Sequence, residues 1–143
     1  MTFTEQVTKQ LRRDEGERLA AYQDHLGFWT IGVGRLIDAR KGGGITQDES
    51  AYLLANDIEK RRDELLRLLP WAAALDDARF GVLLNMAFQM GVAGLMKFQN
   101  TLRMVQGGDY DGAATNMMLS LWATQTPERA RRLSAQMRTG VWQ

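Results

Sequence analysis

Residues 17–36 read ERLAAYQDHLGFWTIGVGRL. Tyr22, Phe28, Trp29, Ile31 and Val33 are strand formers, and Gly27, Gly32 and Gly34 punctuate them. Side chains alternate across a strand, so in the run FWTIGVG Trp29, Ile31 and Val33 share one face. Phe28, Thr30, Gly32 and Gly34 share the other. The pattern predicts a small antiparallel sheet with a turn near Asp24–Gly27. A face left bare by glycines predicts that something packs or binds close to the backbone there.

Toward the N-terminus, Thr2 and Glu5 have capping-box spacing, and Phe3, Val7 and Leu11 recur every four residues. These predict a helix over about residues 3–14, stopped near Gly16. It is too short to stand alone in water, so it is expected to pack on the later helices.

Toward the C-terminus, residues 38–44 (DARKGGG) read as a loop. Thr46 and Glu49 form a second capping box, opening a helix with Tyr52, Leu53, Ile58, Leu65, Leu66 and Leu69 as its stripe and Pro70 as its stop. From residue 76 the chain reads as a strongly apolar helix, broken at Gly91 and Gly94 before another over about 96–106. Gly107–Gly108 end that one, Asp109 can cap a helix over about 110–123, and Thr126–Pro127 open the last.

The expected fold is α+β and mostly helical, one domain over residues 1–143. A small N-terminal antiparallel sheet lobe covers about residues 16–45. A helical body covers about 46–143 and takes in the helix at 3–14, with a cleft between the two as the natural ligand site.

Composition narrows the chemistry. With 143 residues, 45% hydrophobic and 24% charged, the chain suits one globular domain and excludes disorder and fibrous architecture. It has no cysteine, which removes disulfides, thiolate zinc and a cysteine nucleophile. A single histidine, His25, makes a histidine metal site improbable, so neither metal nor cofactor is expected. The formal net charge of +1 gives no general pull toward nucleic acid. Residues 1–79 balance at −2 and residues 80–143 at +3, an asymmetry that ordinary solvated helix faces also produce.

No secretory signal opens the sequence, and no stretch approaches the ~20 apolar residues of a membrane span, so stable membrane insertion is not expected. The chain is expected to be made soluble in a cytoplasm or to be a domain of something larger.

The densest polar constellation is Asp14, Glu15, Glu17, Asp24 and Thr30. Two carboxylates facing each other across a cleft can split a glycosidic bond: one protonates the leaving oxygen, the other activates water or attacks the sugar. Taken alone, acidic residues this close together also fit surface charge. His25 could assist acid–base work or simply sit in a polar turn. The GVGRL run lacks a phosphate-loop pattern, and Ser50, Ser120 and Ser134 lack a nucleophile-elbow context. Lys60–Arg61–Arg62 precedes Asp63 and Glu64 and reads as a salt-bridged helix face.

The run RRDEGERLAAYQDHLGFWTIGVGRL, residues 12–36, resembles the catalytic segment of the phage T4-type lysozymes (endolysins, glycoside hydrolase family 24). In that family D-E-G is followed by Y-x-D and then T-I-G-x-G. Two more blocks, NMAFQMG with NTLRM and QTPERARR with RTGVW, resemble the family's core helices and C-terminal region. The blocks keep the family's order and span nearly the whole chain.

The resemblance implies a peptidoglycan hydrolase cutting the β-1,4 bond between N-acetylmuramic acid and N-acetylglucosamine, with lysis of the host cell. On the motif, Glu15 is the general acid, Asp24 activates water in an inverting reaction, and Thr30 helps place the water or the sugar. Glu15 is then expected to be partly desolvated and Asp24 to lie in a wetter turn. Leu36, Phe88, Thr101 and Asn116 resemble saccharide-contacting positions, although core packing explains Leu36 and Phe88 nearly as well. Arg129 of T-P-E-R matches an arginine expected to pair with the catalytic acid. The implied partner is bacterial peptidoglycan, reached from the host cytoplasm through a holin-type pore into the periplasm and wall, by a monomer.

Two departures stand out. Arg35 occupies a place where the family often has a histidine that forms an ion pair, and the sequence names no acid for it. The loop after Arg35 is much shorter than in the family's best-known member. A lytic transglycosylase, a non-enzymatic peptidoglycan-binding module and a helical nucleic-acid binder are the competing interpretations.

Overall fold

The computed structural model describes residues 2–37 and 43–143. Most of the loop expected at 38–44, residues 38–42, lies outside the described residues, as do the side chains of Phe3 and Val7. Chain contacts group the residues into two compact units, 1–53 and 54–143.

In the first unit, helix α1 spans Phe3–Glu15. The Thr2 hydroxyl accepts from the Glu5 amide at 3.2 Å and the Glu5 carboxylate accepts from the Thr2 amide at 2.6 Å, the capping box read in the sequence. Gly16, at φ 74°, ends the helix in a backbone conformation that side chains disfavour.

Three strands follow, β1 (Arg18–Gln23), β2 (Trp29–Gly32) and β3 (Arg35–Leu36), antiparallel in that order. Tyr22 pairs with Thr30 and Thr30 with Leu36. The sheet and its Asp24–Gly27 turn are those expected. Val33 differs: it sits in the β2–β3 turn with Gly34, because Gly32 and Gly34 at φ 66° and 69° bend the chain there. Helix α2, Gln47–Leu68, begins in this unit behind the Thr46–Glu49 capping box and continues into the second.

The second unit is helical: α3 (Asp77–Met96), α4 (Gln99–Gln106), α5 (Tyr110–Met118), α6 (Leu121–Gln125) and α7 (Pro127–Thr139), after a 3-10 turn at Pro70–Ala74. Its core is built around Leu65, Leu83, Met86, Leu95, Met117 and Met137, all fully buried. By length and composition alone α3 could cross a membrane, which corrects the expectation that no stretch comes near a span. Here it is the central core helix, with Val82, Leu83, Met86 and Ala87 buried. Gly91, at φ 77°, kinks it as read, but Gly94 does not break it.

Two boundaries differ from expectation. The single helix expected over 110–123 is two, α5 and α6, because the Ser120 side chain caps a new start by accepting from the Ala123 amide at 3.2 Å. Thr126 precedes Pro127 as expected, but its hydroxyl donates back to the Trp122 carbonyl at 2.9 Å instead of capping α7.

Arg79 closes the end of α7. It donates to the Met137 carbonyl at 2.7 Å and the Arg138 carbonyl at 3.0 Å, and its guanidinium lies 3.8 Å over the Tyr110 ring. Hydrogen bonds from a charged donor contribute roughly 1.5–3 kcal/mol each, and the one to Arg138 is solvent-exposed and counts for less, so Arg79→Met is expected to lower stability by about 2–4 kcal/mol, read from urea denaturation. Beyond α7, the Trp142 ring packs on Gly81, where a Cβ atom would fall 2.4 Å from it.

Candidate active site

The polar constellation of the sequence falls on the first unit. Glu15 is the last residue of α1, and its carboxylate rests against the β2–β3 turn. A Cβ atom on Gly34 would lie 3.1 Å from Glu15 Oε2, so only a glycine leaves this carboxylate its place without crowding. Of the two glycines read as one bare face, Gly34 in the turn meets this acid, whereas Gly32 on the strand has nothing within 4 Å of where a Cβ atom would lie. Glu15 is exposed at the end of α1, where Gly16 turns the chain away.

Asp24 sits at the tip of the β1–β2 hairpin, half-buried. Its amide donates to the Phe28 carbonyl at 2.9 Å, and its Oδ1 accepts from the amides of Leu26 and Phe28, each at 2.9 Å. One carboxylate oxygen thus holds the turn. The other, Oδ2, carries no hydrogen bond among the described residues, and a carboxylate so arranged can still accept a proton.

Thr30 is 2% exposed, and its hydroxyl donates to the Phe28 carbonyl at 3.0 Å. Phe28 is therefore the hinge between Asp24 and Thr30, bonded to the first through both backbone groups and to the second through its carbonyl. Leu36, paired with Thr30 across the sheet, is half-buried.

Arg35, for which the sequence names no acid, has one. It pairs with Glu49 in the first turn of α2 and donates to the Gly44 carbonyl at 3.2 Å. The same Glu49 carboxylate accepts from the Thr46 amide at 2.8 Å. That backbone hydrogen bond holds the Glu49 carboxyl below its ordinary value; desolvation opposes the shift and the Arg35 charge adds to it. The Thr46–Glu49 spacing was visible in the sequence, but nothing there pointed to Arg35.

The other candidate residues lie in the second unit. Phe88 is 42% exposed and is no part of the core, so packing does not account for it. Thr101 is buried and donates to Asn116 Oδ1 at 2.7 Å. That bond fixes the amide of Asn116, which helps line a depression of about 480 Å³ with Lys97, Asn100, Ser120 and Trp122. Arg129 is held by Asn85, donating to its Oδ1 through Nε at 2.8 Å and through Nη2 at 2.6 Å. Asn85 carries no sequence signal; only the fold brings it to Arg129. Phe88, Asn85 and Arg129 together line a mostly apolar hollow of about 360 Å³ with Leu54, Leu84 and Trp142. Among the described residues no cluster of His, Asp and Glu has the makings of a metal site.

The comparisons with known proteins agree with one another. The family model described as phage lysozyme matches residues 12–138. The chain is 30% identical to probable T4-type lysozyme 1 of Dictyostelium discoideum, over 94% of this chain and 95% of that protein. It is 31% identical to the endolysin of Salmonella phage P22, with 82% of each covered. It is also 33% identical to the pre-baseplate central spike protein Gp5 of Enterobacteria phage T4, over 94% of this chain but 28% of that longer protein.

Proposed function

The chain belongs to the phage lysozyme family, and from that membership we propose that it cuts the β-1,4 bond between N-acetylmuramic acid and N-acetylglucosamine, with Glu15 as general acid and Asp24 activating water. That it is a peptidoglycan hydrolase of the glycoside hydrolase class follows from the family itself. The bond and the residues are the proposal.

The observation that carries it is the separation of duties in Asp24. Oδ1 is engaged by two backbone amides, which keeps the carboxylate oriented, while Oδ2 carries no hydrogen bond among the described residues. Glu15, seated on Gly34, presents its carboxyl from the far end of the same sheet. In the reaction the Glu15 proton passes to the bridging oxygen as the bond to the anomeric carbon breaks. Asp24 removes a proton from the water that attacks the opposite face, so the configuration inverts. Thr30 helps place the attacking water, since its oxygen keeps lone pairs after donating to Phe28. Leu36, Phe88, Thr101 and Asn116 contribute to saccharide binding, Thr101 by orienting the Asn116 amide. For Arg129, whose guanidinium donates to Asn85, the supporting role remains only what the resemblance implies.

The endolysin relatives are consistent with synthesis in a cytoplasm and release to the cell wall; the holin-type pore and action as a monomer belong to the proposal alone.

Digestion of purified murein tests the reaction. Each cut should add the mass of one water, and the first-formed reducing end should be the α-anomer by proton NMR. Anhydro sugar ends would replace this reaction with transglycosylation, and uncut glycan would reduce the protein to a binder.

A further inference from the structure

We infer that Arg35 and Glu49 are positioning residues for the proton donor, acting through the Gly34 turn; this rests on Glu15 having the role proposed above. The Glu15 carboxylate lies on Gly34, and Arg35 is the next residue. Strand β3 is only two residues long, so its ladder alone gives the turn little rigidity. Arg35 compensates with its side chain, which reaches forward to the Gly44 carbonyl and to Glu49. Glu49 is anchored in turn, because its carboxylate also accepts from the Thr46 amide at the start of α2.

Backbone contacts complete the clasp. The Gly44 amide donates to the Leu36 carbonyl at 2.7 Å and the Ile37 amide to the Trp29 carbonyl at 2.8 Å. The Arg35 side chain therefore ties the surface on which Glu15 sits to the first turn of a 22-residue helix, beside the backbone bond from Gly44.

The pair is solvent-exposed, so its direct contribution to stability is small. Its leverage is geometric. A shift of the turn by a fraction of an ångström changes where the acid stands relative to the bridging oxygen, and small misplacements of reacting groups are costly in rate. The residue just before Arg35 has no side chain with which to steady the turn itself.

The test compares Arg35→Met, Arg35→Lys and wild type on a soluble, uncross-linked peptidoglycan fragment, with kcat and KM measured separately and thermal unfolding followed by circular dichroism. Arg35→Met keeps the apolar stem and loses the charge. It should stay folded at the assay temperature and lose about tenfold in kcat with KM within about twofold. Arg35→Lys, which can still reach Glu49, should recover most of the lost kcat. Should Arg35→Met not fold, Glu49→Gln serves instead: it keeps an acceptor for Thr46 and drops the charge pairing. A folded variant with kcat within about twofold of wild type overturns the inference, as does an effect confined to KM or a lysine variant as slow as the methionine one. A wild type without glycosidase activity removes the proposed function, and this inference with it.

Discussion

Glu15→Gln is expected to fold as the wild type does and to lose lytic activity by about 10³-fold, the scale of a lost general acid. The side chain is exposed and rests on Gly34, which glutamine clears as well as glutamate. The substitution therefore changes acidity while leaving shape alone: the amide has no proton to give to a departing sugar oxygen. Clearing of a turbid suspension of permeabilised Gram-negative cells reads the activity, and the urea midpoint reads the fold. An unchanged midpoint with full clearing would take the proton donor away from this position.

Asp24→Asn and Asp24→Ala should separate two duties of one side chain. Asparagine keeps an oxygen to accept from Leu26 and Phe28, so the hairpin should survive, while a neutral amide no longer draws a proton from water. Activity should fall by about 10²–10³-fold with stability nearly unchanged. Alanine removes both acceptor contacts and should cost about 1–3 kcal/mol of stability in addition to the activity. Paired rate and denaturation measurements on the two variants check this. An asparagine variant as active as wild type would leave Asp24 with its turn-forming duty alone.

Much of the fold was legible because the signals were local. Alternation around Trp29 and Ile31, the capping boxes at Thr2 and Thr46 and the proline at 127 each act within a few residues. Val33 departs from the strand expected of it: a β-branched residue between two glycines reads as strand, whereas the positive φ values of those glycines bend the chain. The α5–α6 break was hidden because Ser120 is compatible with a helical pattern, and only its side-chain geometry starts a new helix. At the site, a close approach occurs at Gly34 in the turn but not at Gly32 on the strand, and its occupant, Glu15, comes from another element. Partnerships across long sequence distance were illegible for the same reason. Arg35 with Glu49 joins a strand to a helix 14 residues further on, and Arg129 with Asn85 depends on the packing of α3 and α7. Neither pair leaves a periodic trace, since one ion pair or amide contact does not constrain its sequence neighbours.

The closure of α7 onto Arg79 and of Trp142 onto Gly81 bears on how the protein is born. When a ribosome has translated as far as residue 126, the nascent chain already contains all of α3, yet the segment carrying Ala130, Leu133 and Met137 does not exist. The helical unit must wait with apolar surface uncovered until that last stretch clears the exit tunnel, and at ordinary elongation rates the wait is brief, on the order of seconds. Ribosome stalling shortly before that point should therefore leave a chain that chaperones hold and proteases cut, and release of the stall should convert it to a protected form in a single late step.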